Sequence, residues 1–230
     1  MDKELLITSM ANREFLYRYL WRFYTTYADM DFLKTIESEA AAEQIKLFCG
    51  EESPANQSQA ILVELAKQYE NEPGMDEGLD QLKSEYTRLF LGPAALPAPP
   101  WESVYASGEE LMFTVRTLTI RYFYKDMGYV SLNGPKEAED FLGTELGFMA
   151  ALARDTKQAL EEGNDERVRF LLEKQQVFVR DHLFFLVSHF TPRLRERAIR
   201  VGEFYLSAAD LTYYICQADL GALEEILAVL

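Results

Sequence analysis

Residues 85–105, EYTRLFLGPAALPAPPWESVY, force one helix to stop and the connection after it to stay extended. Leu82, Tyr86, Leu89 and Phe90 recur at three- and four-residue spacing, which predicts the end of an amphipathic helix. Gly92 supplies the positive φ that a helix C-cap favours, and Pro93 behind it cannot continue the helix. Four prolines, Pro93, Pro97, Pro99 and Pro100, fall within nine positions. Each fixes its own φ and biases its predecessor towards extended geometry. The expectation is a stiff loop, and it carries Leu96, Trp101, Val104 and Tyr105, more apolar area than a bare linker needs.

On either side the chain reads as helix. Phe15, Leu16, Tyr19, Leu20, Phe23 and Tyr27 mark a wide apolar stripe over 9–27. Asp31 is placed to cap a second helix through Phe32, Leu33, Ile36 and Ile45 to Gly50. A break at Ser53-Pro54 precedes a third over 58–69, and Asn71-Glu72-Pro73-Gly74 has turn composition. Residues 76–90 feed the proline loop. Beyond it, Ser107-Gly108-Glu109-Glu110 fits a capping box for a helix through Leu111, Phe113, Val115, Leu118 and Tyr122 to Asp126. After an irregular segment punctuated by Asn133-Gly134-Pro135, a long helix is expected over 136–161. Gly163, Asn164 and Asp165 end it and cap the next, over 166–190. Thr191 and Pro192 read as N-cap and first position of another helix. Ser207 reads as the start of one through Leu211, Tyr214 and Ile215, and a short Ala- and Leu-rich helix closes the chain. No stretch alternates as a strand does, no period of 20–50 residues recurs, and no break has the composition of an interdomain linker. The reading is all-α: a single-domain, bundle-like fold over 1–230 with a proline-rich loop.

With 48% hydrophobic and 27% charged residues, the 230-residue chain has globular composition. No apolar run approaches the roughly 20 residues of a membrane helix, and residues 1–4 do not begin a secretory signal. Isolated Cys49 and Cys216 suit a reducing compartment, so the expected address is the cytoplasm. The net charge of −15 disfavours nucleic acid and anionic membranes and favours capture of a cationic peptide.

Catalytic and metal-binding patterns are missing from the sequence. His182 and His189, the only histidines, are seven residues apart. At roughly 1.5 Å per residue they stand about 10 Å apart, too far to share a metal. There is no H-E-x-x-H, no G-x-x-x-x-G-K and no G-x-S-x-G. The acidic cluster Glu137, Glu139, Asp140 and Glu145 has the composition of a solvated or dipole-stabilising helix start. No enzyme activity, cofactor or metal is expected.

The order E-Y-x-x-L-F-x-G-P followed by P-x-P-P-W-x-S-V-Y closely resembles the signature of the TorD/DmsD family of cytoplasmic redox-enzyme maturation chaperones. A second block, residues 135–152, resembles that family's P-x-D-H-x-x-x-E-L-x-F-M-x-x-L, matched by Asp140, Glu145, Leu146, Phe148, Met149 and Leu152. Phe141 replaces its His and Ala138 its Pro. A third, residues 178–183, resembles F-x-x-x-H-L, with Leu186 and Ser188 replacing the Trp and Pro that follow. The resemblance implies an all-helical chaperone that binds the twin-arginine leader and the apo form of a molybdopterin-containing anaerobic reductase. It would support cofactor insertion and proofreading before export. A NarJ-type assembly chaperone for a non-exported subunit and a non-catalytic helical adaptor are the alternatives. The partners are then a leader and its apo-protein, or a second copy of the chain in a homodimer, with no nucleic acid and no integral membrane segment.

On that resemblance, Asp140 and Glu145, five residues apart, would pair a leader arginine through charge-assisted hydrogen bonds. Leu89, Phe90, Pro99, Pro100, Trp101, Ser103 and Tyr105 would wall a groove for its apolar part, with Phe141 where an imidazole is usual. Trp101 and Tyr105 fit a groove or the packing of the loop equally well, and Leu89 and Phe90 fit a core better than a groove.

Overall fold

The computed structural model describes residues 2–71, 75–92, 95–106, 110–131, 137–197 and 202–230. Helix follows helix: α1 Lys3–Thr25, α2 Met30–Glu37, α3 Glu39–Cys49, α4 Pro54–Asn71, α5 Met75–Tyr86, the short α6 Glu102–Ala106, α7 Val115–Asp126, α8 Leu142–Glu162, α9 Asp165–Phe178, α10 Phe184–Arg197 and α11 Glu203–Val229. π-Helical turns at Thr87–Leu91 and Val179–Leu183 extend α5 and join α9 to α10. No strand forms among the described residues, and the fold class is all-α as the periodicity predicts.

Helix ends follow local chemistry where the caps are strong. Gly92 ends the run from α5 at φ 83°. Gly163 ends α8 in the left-handed region, and the Asn164 side chain accepts from the Arg167 N–H to begin α9. Elsewhere the boundaries differ from expectation. Asp29, not Asp31, caps α2, its Oδ1 accepting from the Phe32 N–H at 2.8 Å. The helix expected over 31–50 is two, because Ser38 adopts extended geometry and its Oγ accepts from the Ala41 N–H, starting α3. α7 begins only at Val115, capped by Thr114, since Glu110 and Phe113 before it have positive φ. Extended Phe141 likewise holds the start of α8 back to Leu142.

Two expected helix starts do not form. Thr191 and Pro192 lie inside α10, where the Thr191 hydroxyl donates to the Ala209 carbonyl at 3.2 Å instead of capping. Pro192 removes one ladder donor without ending the helix. Ser207 lies inside α11, which runs unbroken to Val229 and absorbs the separate closing helix; its one glycine in that stretch, Gly221, is too weak a breaker. The turn at 72–74, Pro93, the opening of the capping box at 107–109 and the Asn133-Gly134-Pro135 punctuation lie outside the described residues.

The chain packs as two compact units. One takes residues up to Trp21, Pro100–Leu186 and Asp219–Leu230; the other takes Arg22–Pro99 and Val187–Ala218. In the first, α8 buries Leu142, Leu146, Met149 and Leu152 among the residues of its core. Burial of each such side chain stabilises by about 1.5–3 kcal/mol. Across this core, fully buried Arg13 donates from Nε and Nη2 to Asp219 at 2.6 and 2.8 Å and from Nη1 to Gln175 Oε1 at 2.5 Å. Tyr17 Oη also donates to Asp219, so this interior charge pair is hydrogen-bonded on several sides. In the second unit an aromatic cluster dominates. Phe90 lies with ring centroids 5.1 Å from Tyr86, 5.5 Å from Tyr205 and 5.6 Å from Tyr24.

Candidate functional site

The proline loop and the start of α8 are tied by their backbones. The Leu142 N–H donates to the Pro100 carbonyl at 2.9 Å, and the Glu102 N–H to the Asp140 carbonyl at 3.0 Å. Trp101 and Phe141 thus form an isolated antiparallel bridge, with ring centroids 5.8 Å apart. Pro100 accepts from Leu142 but has no N–H to donate back to it, so the pairing does not continue past this bridge. The chain then turns into α6, where the Ser103 N–H donates to Asp140 Oδ2 at 2.7 Å. Residues nearly forty apart in sequence are brought to one place.

Behind the bridge lies a buried polar cluster. Glu102 is fully buried; its Oε1 accepts from Arg116 Nε at 2.5 Å, and its Oε2 is 3.0 Å from His182 Nδ1. Arg116 also donates to the Asp181 carbonyl and lies over the Phe185 ring. Asp140 and Glu145 are fully buried as well. Neither Glu145 oxygen has a hydrogen-bond partner among the described residues, and the same is true of Asp140 Oδ1, Ser103 Oγ and Trp101 Nε1. Burial pushes the Glu145 carboxyl well above the usual carboxylate range; Glu102 and Asp140 push the same way, and Arg116 opposes them. Tyr124, which donates to the Glu139 carbonyl, is pushed up by burial and by the same carboxylates.

Tyr124 also forms part of the wall of a cleft of about 550 Å³ in this unit, together with Trp21, Tyr129, Thr144 and Phe148, and with Gly147 beside them. A Cβ at Gly147 would stand 3.2 Å from the Trp21 indole, so glycine lets that ring lie close to α8. The lining is largely aromatic with a few hydroxyls, the make-up of a site for an apolar ligand or side chain.

The sequence-derived residues divide between the units. Pro100, Trp101, Ser103, Asp140, Phe141 and Glu145 come together at the bridge and the cluster behind it, with half-buried Tyr105 on α6 beside them. Leu89 and Phe90 belong to the core of the other unit, at 0% and 3% exposure, and half-buried Pro99 also falls in that unit. Glu102, Arg116 and His182 were not singled out as a group by the sequence. Their only signal was that Glu102 and His182 each sit inside a motif block, since contacts 14 and 80 residues long leave no local pattern. Among the described residues no group of three His, Cys, Asp or Glu side chains is arranged to hold a metal ion. No described helix is long and apolar enough to cross a membrane.

Residues 51–191 match the family described as nitrate reductase delta subunit. The probable Tat proofreading chaperone DmsD of Haemophilus influenzae is 30% identical over 139 residues, 60% of each chain. The Tat proofreading chaperone DmsD of Salmonella typhimurium is 36% identical over 78 residues, 34% of this chain and 38% of that one. The chaperone protein TorD of Photobacterium profundum is 26% identical over 139 residues, 60% of this chain and 62% of that one. The match thus spans about three fifths of the Haemophilus relative's length and under two fifths of the Salmonella one's. The matched region contains the proline loop, the Trp101–Phe141 bridge and the buried acidic cluster, and the chain belongs to the TorD/DmsD family covered by the nitrate reductase delta subunit model.

Proposed function

We propose that this chain is a cytoplasmic maturation chaperone, without catalytic activity, that binds the twin-arginine leader of a molybdopterin-dependent reductase and holds the apo-enzyme until its cofactor is in place. The observation that carries this reading is the joining of the two motif blocks: backbone pairing sets Trp101 and Phe141 beside Asp140, with Glu145 one turn into α8. Half-buried Trp101 gives aromatic surface for the apolar part of a leader, and the Asp140 and Glu145 carboxylates, enclosed in the free chain, stand behind it as partners for an arginine that enters. The names of two relatives, Tat proofreading chaperones, support the same partner class. The net charge of −15 favours a basic peptide over an acidic one. The single-domain reading stays within this proposal, since α1, α10 and α11 each supply residues to both units.

The test is calorimetry of the full chain with a twin-arginine leader peptide, alongside a variant peptide whose arginines are replaced by glutamine. Saturable binding that weakens on the replacement supports the reading, and equal binding of both peptides refutes the role of the arginines. A second reading is assembly of a reductase subunit that is never exported; the family description, which names a reductase delta subunit, is compatible with it. Capture of a leaderless reductase subunit from anaerobically grown cells, with no affinity for a leader peptide, would select it.

A further inference from the structure

Among the described residues of the unit that holds the proline-loop bridge, Glu145 is a buried group left with two unmet oxygens. Its side chain is fully enclosed and both carboxyl oxygens lack a donor among the described residues. The second sign of an incomplete site is independent of its charge: the Ser103 hydroxyl, on a residue bonded through its N–H to Asp140, is buried and has no hydrogen-bond partner among the described residues. An ionised carboxylate left without donors in such a place is strongly disfavoured against the neutral acid, as unpaired buried charge is in general.

The surrounding groups come from each neighbouring element. Glu102 acts on Glu145 from α6 and Asp140 from the segment before α8. From α7 come Arg116, whose charge opposes those two, and Tyr124, a phenol near enough to feel the charge of Glu145. His182, on the π-helical turn, is bonded to Glu102 instead. Arg116 is itself held by Glu102 and by the Asp181 carbonyl. Arg116, already held by Glu102, also acts on Glu145, and the acid form of Glu145 spares the cluster a further buried negative charge.

We propose that leader capture at this site is a proton exchange: in the free chain Glu145 is the neutral acid, and an arriving leader guanidinium takes the place of its proton. The O–H bond of Glu145 breaks, the proton leaves to solvent, and the carboxylate pairs with a guanidinium that stays charged throughout. This rests on the leader-binding reading above and adds its regulation. Between the bound-state and free-state titration points of Glu145, affinity then rises by up to about tenfold per pH unit, and it is flat outside that window. Carboxylates already ionised in the free chain would give no slope at neutral pH.

The probe is a synthetic peptide with two adjacent arginines followed by a Leu- and Ala-rich stretch, titrated into the full chain in buffers of different ionisation enthalpy at one pH. About one proton should be released per peptide bound. The infrared carbonyl band of a protonated carboxyl should be present in the free chain and lost on binding. Glu145→Gln should lack that band, release no proton and bind with a flat pH profile. The infrared arm needs only the natural chain, so it decides the matter even if the variant folds poorly. Binding without proton release, or with the carboxyl band unchanged, overturns the exchange and leaves the leader reading standing. The same proton released by a twin-glutamine peptide also overturns it. Failure of the arginine peptide to bind the folded chain overturns both.

Discussion

Phe90→Ala should be among the most damaging single changes in the chain. The ring is 3% exposed and lies within 5.6 Å, centroid to centroid, of Tyr86, Tyr205 and Tyr24. Truncating a buried Phe costs about 3–5 kcal/mol. Three aromatic partners, each worth about 0.5–1.5 kcal/mol beyond area burial, push this site towards the upper end, about 4–5 kcal/mol. For a chain of this size that lowers the melting temperature by about 8–20 °C. Urea unfolding should be followed by far-ultraviolet circular dichroism, because Trp21 and Trp101 both lie in the unit that does not contain Phe90 and their fluorescence would report on the wrong core. Trp101→Ala is the control. Its ring is half-buried against Phe141, so it should destabilise less while weakening leader binding by about 2 kcal/mol, the scale of an interface anchor. A loss below about 2 kcal/mol for Phe90→Ala at an unchanged denaturant slope would refute the packing argument. Equal destabilisation by Trp101→Ala with normal leader affinity would make the proline loop scaffold.

Asp219→Ala should destabilise by about 3–5 kcal/mol, measurable by denaturant unfolding, because it leaves the Arg13 guanidinium buried without its carboxylate. Glu145 makes a distinct pH signature. Its folded-state titration point is raised, so above the ordinary carboxylate value the unfolded chain binds fewer protons than the folded one, and this group's contribution to stability falls as pH rises. The slope is about 1.4 kcal/mol per pH unit up to the folded-state titration point. Glu145→Gln should remove that component, and indistinguishable stability–pH profiles for the variant and the natural chain would contradict it. Leader binding should weaken with added salt yet retain an apolar remainder; calorimetry over a range of ionic strength reads this, and indifference to salt would exclude steering by the −15 charge.

Helical periodicity made the fold class legible, and glycines marked helix ends wherever a positive φ was needed, as at Gly92 and Gly163. Boundaries set by competition between equally good caps were less legible. Asp29 and Asp31 are both plausible on local grounds, and only the geometry of the preceding turn chooses the first. Thr191-Pro192 has the form of a helix start, but a tertiary acceptor, the Ala209 carbonyl, claims the hydroxyl. At the candidate site the motif blocks named Trp101, Ser103, Asp140 and Glu145. They did not show that Asp140 bonds the Ser103 backbone, nor that Glu102 sits between Arg116 and His182. Those facts depend on which helices meet, and charge patterning along one helix carries no trace of it.

The Arg13–Asp219 pair has a consequence during synthesis. The two residues are 206 positions apart, so Arg13 leaves the ribosome long before its partner exists. At about 5–20 residues per second that interval lasts on the order of ten seconds or more. Until Asp219 emerges, α1 has a guanidinium that its future core cannot accept, and the unit built from both ends of the chain cannot close. The other unit ends at Ala218, so its whole sequence is made before Asp219 appears. The nascent chain should therefore acquire protease resistance in two stages, the one holding Phe90 first and the one holding Trp101 and Glu145 only when translation is nearly done.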